Sequence, residues 1–388
     1  MLQHTKKSSW KFEYNNTKNI FLNDLENIET FKKSNLEPIY KTLSENDLND
    51  FRKASVIHKI ARDKARKLLF IGGKISTLVD TIEKTILDLC KLDKETYYKN
   101  GNNSCGIAFP VGVNINNIVA HDSKTFLIPE ERIFYKGDVV KIDIGIHING
   151  RIIDSAFTHI ISDQAGINDD IHIYNDVLEA SRDAMFNGIK MLKIDTPLIE
   201  ISEIISEVIN SYEVDLGDGN TLPVKPVSGL GGHNIKQYCI HGGKLILSVP
   251  DKETQSNSKV EEDEIYAIEP YASTGYGVMT QENDVNKLTH FIPSENSNNK
   301  KDEKLYKKTE LYNWVKTRNN LPFSSSWISN INPPIKKISK SFNLGIESGL
   351  IQAYPPLYDI ENSVVAQFEH TCHIGERTTE IFSLGNDY

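Results

Sequence analysis

The sequence predicts one α+β domain with internal pseudo-symmetry. Two observations carry that expectation. A pair of amphipathic helices followed by strand-like segments occurs twice along the chain. Within the first set of strands, Asn149-Gly150 sits between alternating apolar residues, the strongest short-range hairpin signal. At 388 residues, 39% of them apolar, the chain has ample material for a core.

The elements follow in order. Residues 1–45 are rich in Asn and Lys, lack a clear period and read as an N-terminal arm. Ser44 and Asp47 have the spacing of a helix capping box. Leu48, Phe51, Ile57, Ala61, Ala65 and Leu68 then recur at helical intervals, and Gly72-Gly73 marks the expected end of that helix. A second helix carries Leu78, Ile82, Ile86 and Leu89 on one face. Residues 139–161 alternate and are rich in Ile and Val, as strands require. The second round has helices near 174–188 and 198–212, the latter with Ile201, Ile204, Ile205 and Val208, then strand-like stretches at 221–249 and 264–272. Polar stretches at 251–263 and 293–304 read as surface loops. Residues 305–347, of mixed helical character, separate the 46–304 part of the domain from a strand-like tail over 348–388.

Composition excludes several classes of function. A formal net charge of −9 argues against nucleic-acid binding through bulk charge, so no direct nucleic-acid partner is expected. The first residues hold two lysines with no apolar run behind them, so a secretory signal is not expected. No run of about 18 apolar residues occurs, so no membrane span is expected. Cys90, Cys105, Cys239 and Cys372 form no CxxC pair and predict reduced thiols in a soluble, cytoplasmic protein.

The hairpin brings two acids together. With Asn149-Gly150 as a two-residue loop, Ile148 pairs with Arg151 and Asp154 lies opposite Gly145. Asp143 shares a face with Gly145, so Asp143 and Asp154 become diagonal neighbours, roughly 7–8 Å apart at the backbone. Their surroundings, KIDIGI and RIIDSAF, are apolar. Two carboxylates so placed repel unless one is protonated or a cation lies between them. The hairpin alone leaves open a turn-capping Asp with its neighbour facing water.

Three further residues fit a metal site. His233 lies among glycines in SGLGGHNIKQYCIHGGK, with His241 eight residues on. Glu269 in EIYAIEPYAS and Glu369 in VVAQFEHT each interrupt a core-like strand pattern. Carboxylates with one imidazole suit Mn, Fe, Co or Zn.

Five runs then resemble one family in its own order: FPVGVNINNIVAH (Phe109–His121), KIDIGIHINGRIIDSAFT (Lys141–Thr158), GHNIKQYCIHGGK (Gly232–Lys244), YAIEPYASTGYG (Tyr266–Gly277) and YPPLYDIENSVVAQFEHT (Tyr354–Thr371). The chain resembles type 2 methionine aminopeptidases from about residue 46 to the terminal GNDY. That likeness implies the pita-bread α+β fold, with pseudo-two-fold symmetry and 305–347 as the small helical insertion of type 2 members. It implies two divalent ions (Co, Mn, Fe or Zn) held by Asp143, Asp154, His233, Glu269 and Glu369. The family's two non-ligand active-site histidines correspond to His121 and His241, and its methionine pocket to Phe109, Ile240, His290 and Tyr354. The chain reads IEPYASTG where the family usually has IETFGSTG, and Lys236 and Cys239 stand where other side chains are common.

The activity so implied is removal of the initiator methionine from nascent polypeptides when the second residue is small. Paired metals lower the pKa of a shared water. Glu269 would accept its proton, His241 would stabilise the oxyanion and His121 would contact the scissile amide. Nascent N-termini are the expected partners, the ribosome a further candidate, and a monomer the expected state. The long N-terminal extension of animal members has no counterpart here, so it gives no ground for ribosome association. Two rivals are an X-Pro peptidase of the same fold and an inactive relative acting as a ribosome- or RNA-associated protein. The first usually carries a separate N-terminal domain, and the second loses ligands that this chain keeps.

Overall fold

Ser44 caps the first helix as its spacing predicts. Its hydroxyl accepts the Asp47 N–H at 3.2 Å, and Asp47 Oδ2 accepts the Ser44 N–H at 3.0 Å. A cap of this kind stabilises a helix by about 1 kcal/mol. The structure is a computed structural model that describes residues 42–92, 104–124, 131–163, 173–217, 219–282, 287–295, 297–329 and 338–387. Most of the expected N-terminal arm, residues 1–41, lies outside them. Residues 43–384 form one compact unit.

Helix α1 (Glu45–Arg66) buries Phe51, Ala54, Ala61 and Ala65 along one face. It stops at Arg66, short of the expected Gly72-Gly73; Gly72, at φ 81°, serves the turn that follows. Helix α2 (Ile75–Leu92) buries Leu78, Ile82 and Ile86 completely. Both pack beside a three-stranded sheet of β1 (Cys105–Ile115), β2 (Val139–Ile148) and β3 (Arg151–Ile160), with β2 central. The β2–β3 register runs unbroken from Val139 opposite Ile160 to Ile148 opposite Arg151. Asn149 and Gly150, at φ 50° and 77°, form the two-residue loop that the sequence predicts.

The second round follows the same order. Helices α3 (Asn175–Met191) and α4 (Leu198–Asn210) precede a five-stranded sheet. In α4, Ile201, Ile205 and Ile209 face inward, while Ile204 and Val208 lie half-buried at the flank. The sheet contains β4 (Gly231–Ile235), β5 (Leu245–Leu247), β6 (Ile265–Ile268), and two strands from the chain's end. A second, three-stranded sheet holds β7 (Tyr271–Ser273). Another small sheet is built on β8 (His290–Pro293), flanked by β9 (Phe323–Ser324) and β10 (Ile351–Tyr354). Strand β11 (Val365–Gln367) pairs with β7, and β12 (His370–Ile374) pairs with β6 and with β13 (Thr379–Ile381).

Two expected loops contain structure. Residues 251–263 include a helical turn, Lys252–Gln255, whose Gln255 is buried and donates to Ser202 Oγ and Leu245 O. Helix also begins at Lys300, within the expected 293–304 loop. From there the helical segment, with helices at Lys300–Tyr306, Glu310–Lys316, Ser325–Ser329 and Ile338–Glu347, builds its own apolar cluster. Tyr306, Leu311, Val315 and Phe323 in it pack with Phe291 and Ile351 of the main fold. Polar bonds stitch the two halves together. The Glu369 N–H donates to Ala156 O (3.0 Å), Ser155 Oγ to Glu369 O (2.6 Å), and Thr158 Oγ1 to Gln367 O (2.7 Å).

The expectation of four reduced thiols is corrected. Cys90, in the last turn of α2, and Cys105, the first residue of β1, form a disulfide, with Cα atoms 5.6 Å apart. Their distance in sequence gave no hint, because the packing of α2 on β1 brings them together. Cys239 and Cys372 are free. Thiol titration of the unfolded, unreduced protein should therefore find two reactive thiols, rising to four after reduction. Reduction should cost up to about 3 kcal/mol of stability for a loop of this length. Four thiols before reduction would refute the cross-link.

Candidate metal centre

The hairpin delivers its two aspartates as the register requires. Asp143 lies opposite Ala156 and Asp154 opposite Gly145, so both point to one face of the sheet. Gly145 matters at this spot: a Cβ there would come within 2.2 Å of the Phe109 ring. Only glycine lets that ring lie flat across β2 beside the aspartates.

Two glutamates arrive by a different route. Strands β6 and β12 pair in one sheet, with Ile268 opposite His370, and β7 and β11 pair in the next, with Tyr271 opposite Gln367. Both registers place Glu269 opposite Glu369, where the two strands cross from one sheet to the other. Like charges directly opposite destabilise a strand pair. The Asp154 N–H donates to Thr371 Oγ1 at 2.8 Å, which ties the hairpin to the Glu369 strand.

Oxygens of Asp143, Asp154 and Glu369 consequently lie within 4.8 Å of one another. His233, on strand β4 within the expected strand-like stretch 221–249, joins them. Its Nε2 is 3.6 Å from Asp154 Oδ2 and 3.3 Å from Glu269 Oε1. Asp154 thus belongs to the carboxylate trio and also meets His233, which in turn reaches Glu269.

The electrostatics are those of a site built for cations. Burial, and then the neighbouring carboxylates, push Asp154 and Glu369 well above the usual carboxylate range. Burial and then the Glu269 charge do the same to Asp143, and burial raises Glu269 to about 8. His233 is held near 4 by burial, so its imidazole is neutral, the form that ligates metal.

A cavity of about 360 Å³ opens on this cluster. Asp143, Asp154, His233 and Glu269 line it, as do His121, His241, Phe109, Ile240, His290 and Tyr354. Glu369, fully buried, does not appear on its wall. Burial holds His121 near 4, and His241 and His290 near 3, so all three are neutral. The His241 ring stands edge-on to His233 at 4.6 Å, and His121 edge-on to Tyr354 at 5.5 Å. His121 has φ 67°, a left-handed backbone that a residue with a Cβ rarely adopts.

Residues 49–291 match the profile of Metallopeptidase family M24. The chain belongs to this family. Within M24 it is 36% identical to methionine aminopeptidase 2-1 of Ajellomyces capsulatus, over 92% of this chain and 76% of that protein. It is 36% identical to methionine aminopeptidase 2 of Encephalitozoon intestinalis, over 91% of each. Among solved structures, a thermophilic Arx1 superposes with TM-score 0.68 at 15% identity, covering 89% of this chain and 92% of that one. Methionine aminopeptidase of Thermotoga maritima does so with TM-score 0.56 at 16% identity, covering 89% and 99%. Those two likenesses speak for the fold, the pita-bread architecture that the sequence motifs imply.

The residues present fit a metallopeptidase centre. Among the described residues Asp143 Oδ1 is buried without a hydrogen-bond partner, and the imidazole that reaches Asp154 and Glu269 is the neutral ring of His233. Sequence reading missed the residues that aim Glu269. Tyr271 Oη donates to Glu269 Oε2 at 2.6 Å, and Gln367 Nε2 donates to the same oxygen at 3.1 Å. Each sits two positions from a predicted ligand on the same strand run. Period-2 reading around Glu269 and Glu369 would have flagged both.

Raised carboxylate pKa values fix the sign of a pH effect. Protons and metal compete for the same oxygens, so binding must release protons and weaken as pH falls through the raised values. Divalent metal should raise the melting temperature of metal-stripped protein, and by more at pH 8 than at pH 6. Calorimetry in two buffers of different ionisation heat should detect the released protons. An equal thermal shift at both pH values would contradict this electrostatic account.

Proposed function

We propose that this M24 protein is a methionyl aminopeptidase that removes the initiator methionine from new polypeptides when the second residue is small. The convergence of Asp143, Asp154, His233, Glu269 and Glu369 beside one cavity carries the reading, together with the relatives' activity. The carboxylate trio, joined through Asp154 to His233 and by it to Glu269, supports a pair of divalent ions. Bound there, such ions supply Lewis acidity and lower the pKa of water.

The protein's own groups do the rest. Glu269 Oε2 is held by Tyr271 and Gln367, leaving Oε1 to take a proton from water once bound cations keep the carboxylate ionised. His121 Nδ1 lies 3.3 Å from Pro355 O, a carbonyl that can only accept, so Nδ1 carries the proton. Its Nε2 is then a bare acceptor. It would hold the N–H of the scissile amide and orient it, without serving as an acid. Neutral His241 would donate to the carbonyl oxygen as charge develops there.

The methionine side chain would lie against Phe109, Ile240, His290 and Tyr354. Both nitrogens of His290 are occupied, by Thr289 Oγ1 at 2.8 Å and Pro110 O at 3.1 Å, so the ring offers the pocket an apolar surface. Substrates are nascent chain ends. Action as a monomer in the cytoplasm, near the ribosome, completes the proposal. Among the described residues no helix is long and apolar enough to cross a membrane. The convergence of all five candidate ligands speaks against an inactive relative.

Metal-loaded protein incubated with Met-Ala-Ser, Met-Lys-Ser and Ala-Pro-Ser separates the readings. Methionine should be released from the first only, and Asp154→Asn should abolish release, a loss of at least about 100-fold. Release of alanine from Ala-Pro-Ser would favour a proline enzyme. No turnover with any divalent metal would rule out a peptidase.

A further inference from the structure

Strand β1 is irregular where it walls the cavity. Its register with β2 runs Ile107 opposite Ile146, Phe109 opposite Gly145 and Gly112 opposite Asp143, so it skips Ala108, then Pro110 and Val111. Two bulges in succession re-aim side chains, here the Phe109 ring, and take backbone groups out of the ladder. Buried carbonyls so released need other donors. Each skipped residue has one from elsewhere in the fold. Ser123 Oγ donates to Val111 O at 2.7 Å and His290 Nε2 to Pro110 O at 3.1 Å.

The third donor comes from the helical segment. Arg318 Nη2 lies 3.2 Å from Ala108 O, 2.8 Å from Ile107 O and 2.9 Å from Pro322 O. Its guanidinium stacks on Trp327 at 5.2 Å, and Trp327 Nε1 in turn donates to Glu83 Oε1 on α2. Among the described residues, no carboxylate forms an ion pair with Arg318. Burial pulls its pKa down to about 10. A part-buried cation without a counter-ion is costly, and here only carbonyl dipoles and an aromatic face offset it. Both ends of the clamp reach the cavity: Ile107 and Ala108 lead directly into Phe109, and Pro322 is itself on the wall.

We propose that Arg318 is a positioning residue for substrate selectivity. It spans β1 and Pro322 and fixes the pocket wall at the width that accepts an unbranched thioether. The proposal rests on the reading of this cavity as a methionine pocket. It makes the helical segment part of the selectivity filter.

The test compares wild type, Arg318→Met and Arg318→Lys on Met-Ala-Ser and Leu-Ala-Ser. Losing a charged hydrogen-bond clamp should raise KM for the methionine peptide about tenfold and leave kcat within about twofold. The preference for methionine over leucine in kcat/KM should fall about fivefold or more. Lysine, which can still donate to the carbonyls but lacks the planar group that lies over Trp327, should restore both only in part, leaving KM about threefold above wild type. Unchanged KM and selectivity in Arg318→Met would overturn the proposal, as would a fall in kcat and melting temperature together without loss of selectivity. If Arg318→Met does not fold, Arg318→Lys decides: a KM rise of about threefold supports the role, and wild-type values refute it. Wild-type protein that releases no methionine would instead sink the functional reading itself.

Discussion

Four carboxylates and one imidazole forced into one buried corner are the constraint on which the rest of this structure depends. Apolar packing alone would never choose that arrangement, since each charged oxygen loses its water and meets a like charge. The fold holds it by making the ligands part of its two most regular features. Asp143 and Asp154 sit on an unbroken hairpin, and Glu269 and Glu369 face each other on a long antiparallel pair. Register, not side-chain preference, sets the geometry. The cost falls when cations occupy the corner, so metal binding and folding stability are linked through the same oxygens.

Around that corner the protein supplies hydrogen-bond partners with a fixed sense. Tyr271 and Gln367 occupy one oxygen of Glu269, and Pro355 O fixes the tautomer of His121. Tyr271 lies in the IEPYASTG run, and its hydroxyl has a visible partner in Glu269. The selectivity wall follows the same logic: bulges in β1 turn Phe109 onto Gly145, and side chains from distant elements satisfy the carbonyls that the bulges release.

How much of this was legible beforehand differs by element. The hairpin was readable in full, because Asn-Gly fixes the loop and the loop fixes the pairing of every residue on both strands. The helix pairs were readable as amphipathic runs, although α1 ends at Arg66, ahead of the glycines that served as its stop signal. The cysteines misled, because a cross-link depends on which element ends meet.

By itself the sequence determined the local facts: element types, the diagonal placement of Asp143 and Asp154 on one face, the acids that break apolar strands, and the motifs that give the family. Those follow from periods and turn chemistry, which act over a few residues. Only the tertiary structure decided that Glu269 lies opposite Glu369, a hundred positions away. It also decided that Tyr271 and Gln367 aim one of them, that Cys90 meets Cys105, and that Arg318 clamps the pocket wall. Such contacts come from strand pairing and packing between distant segments, which no local pattern encodes.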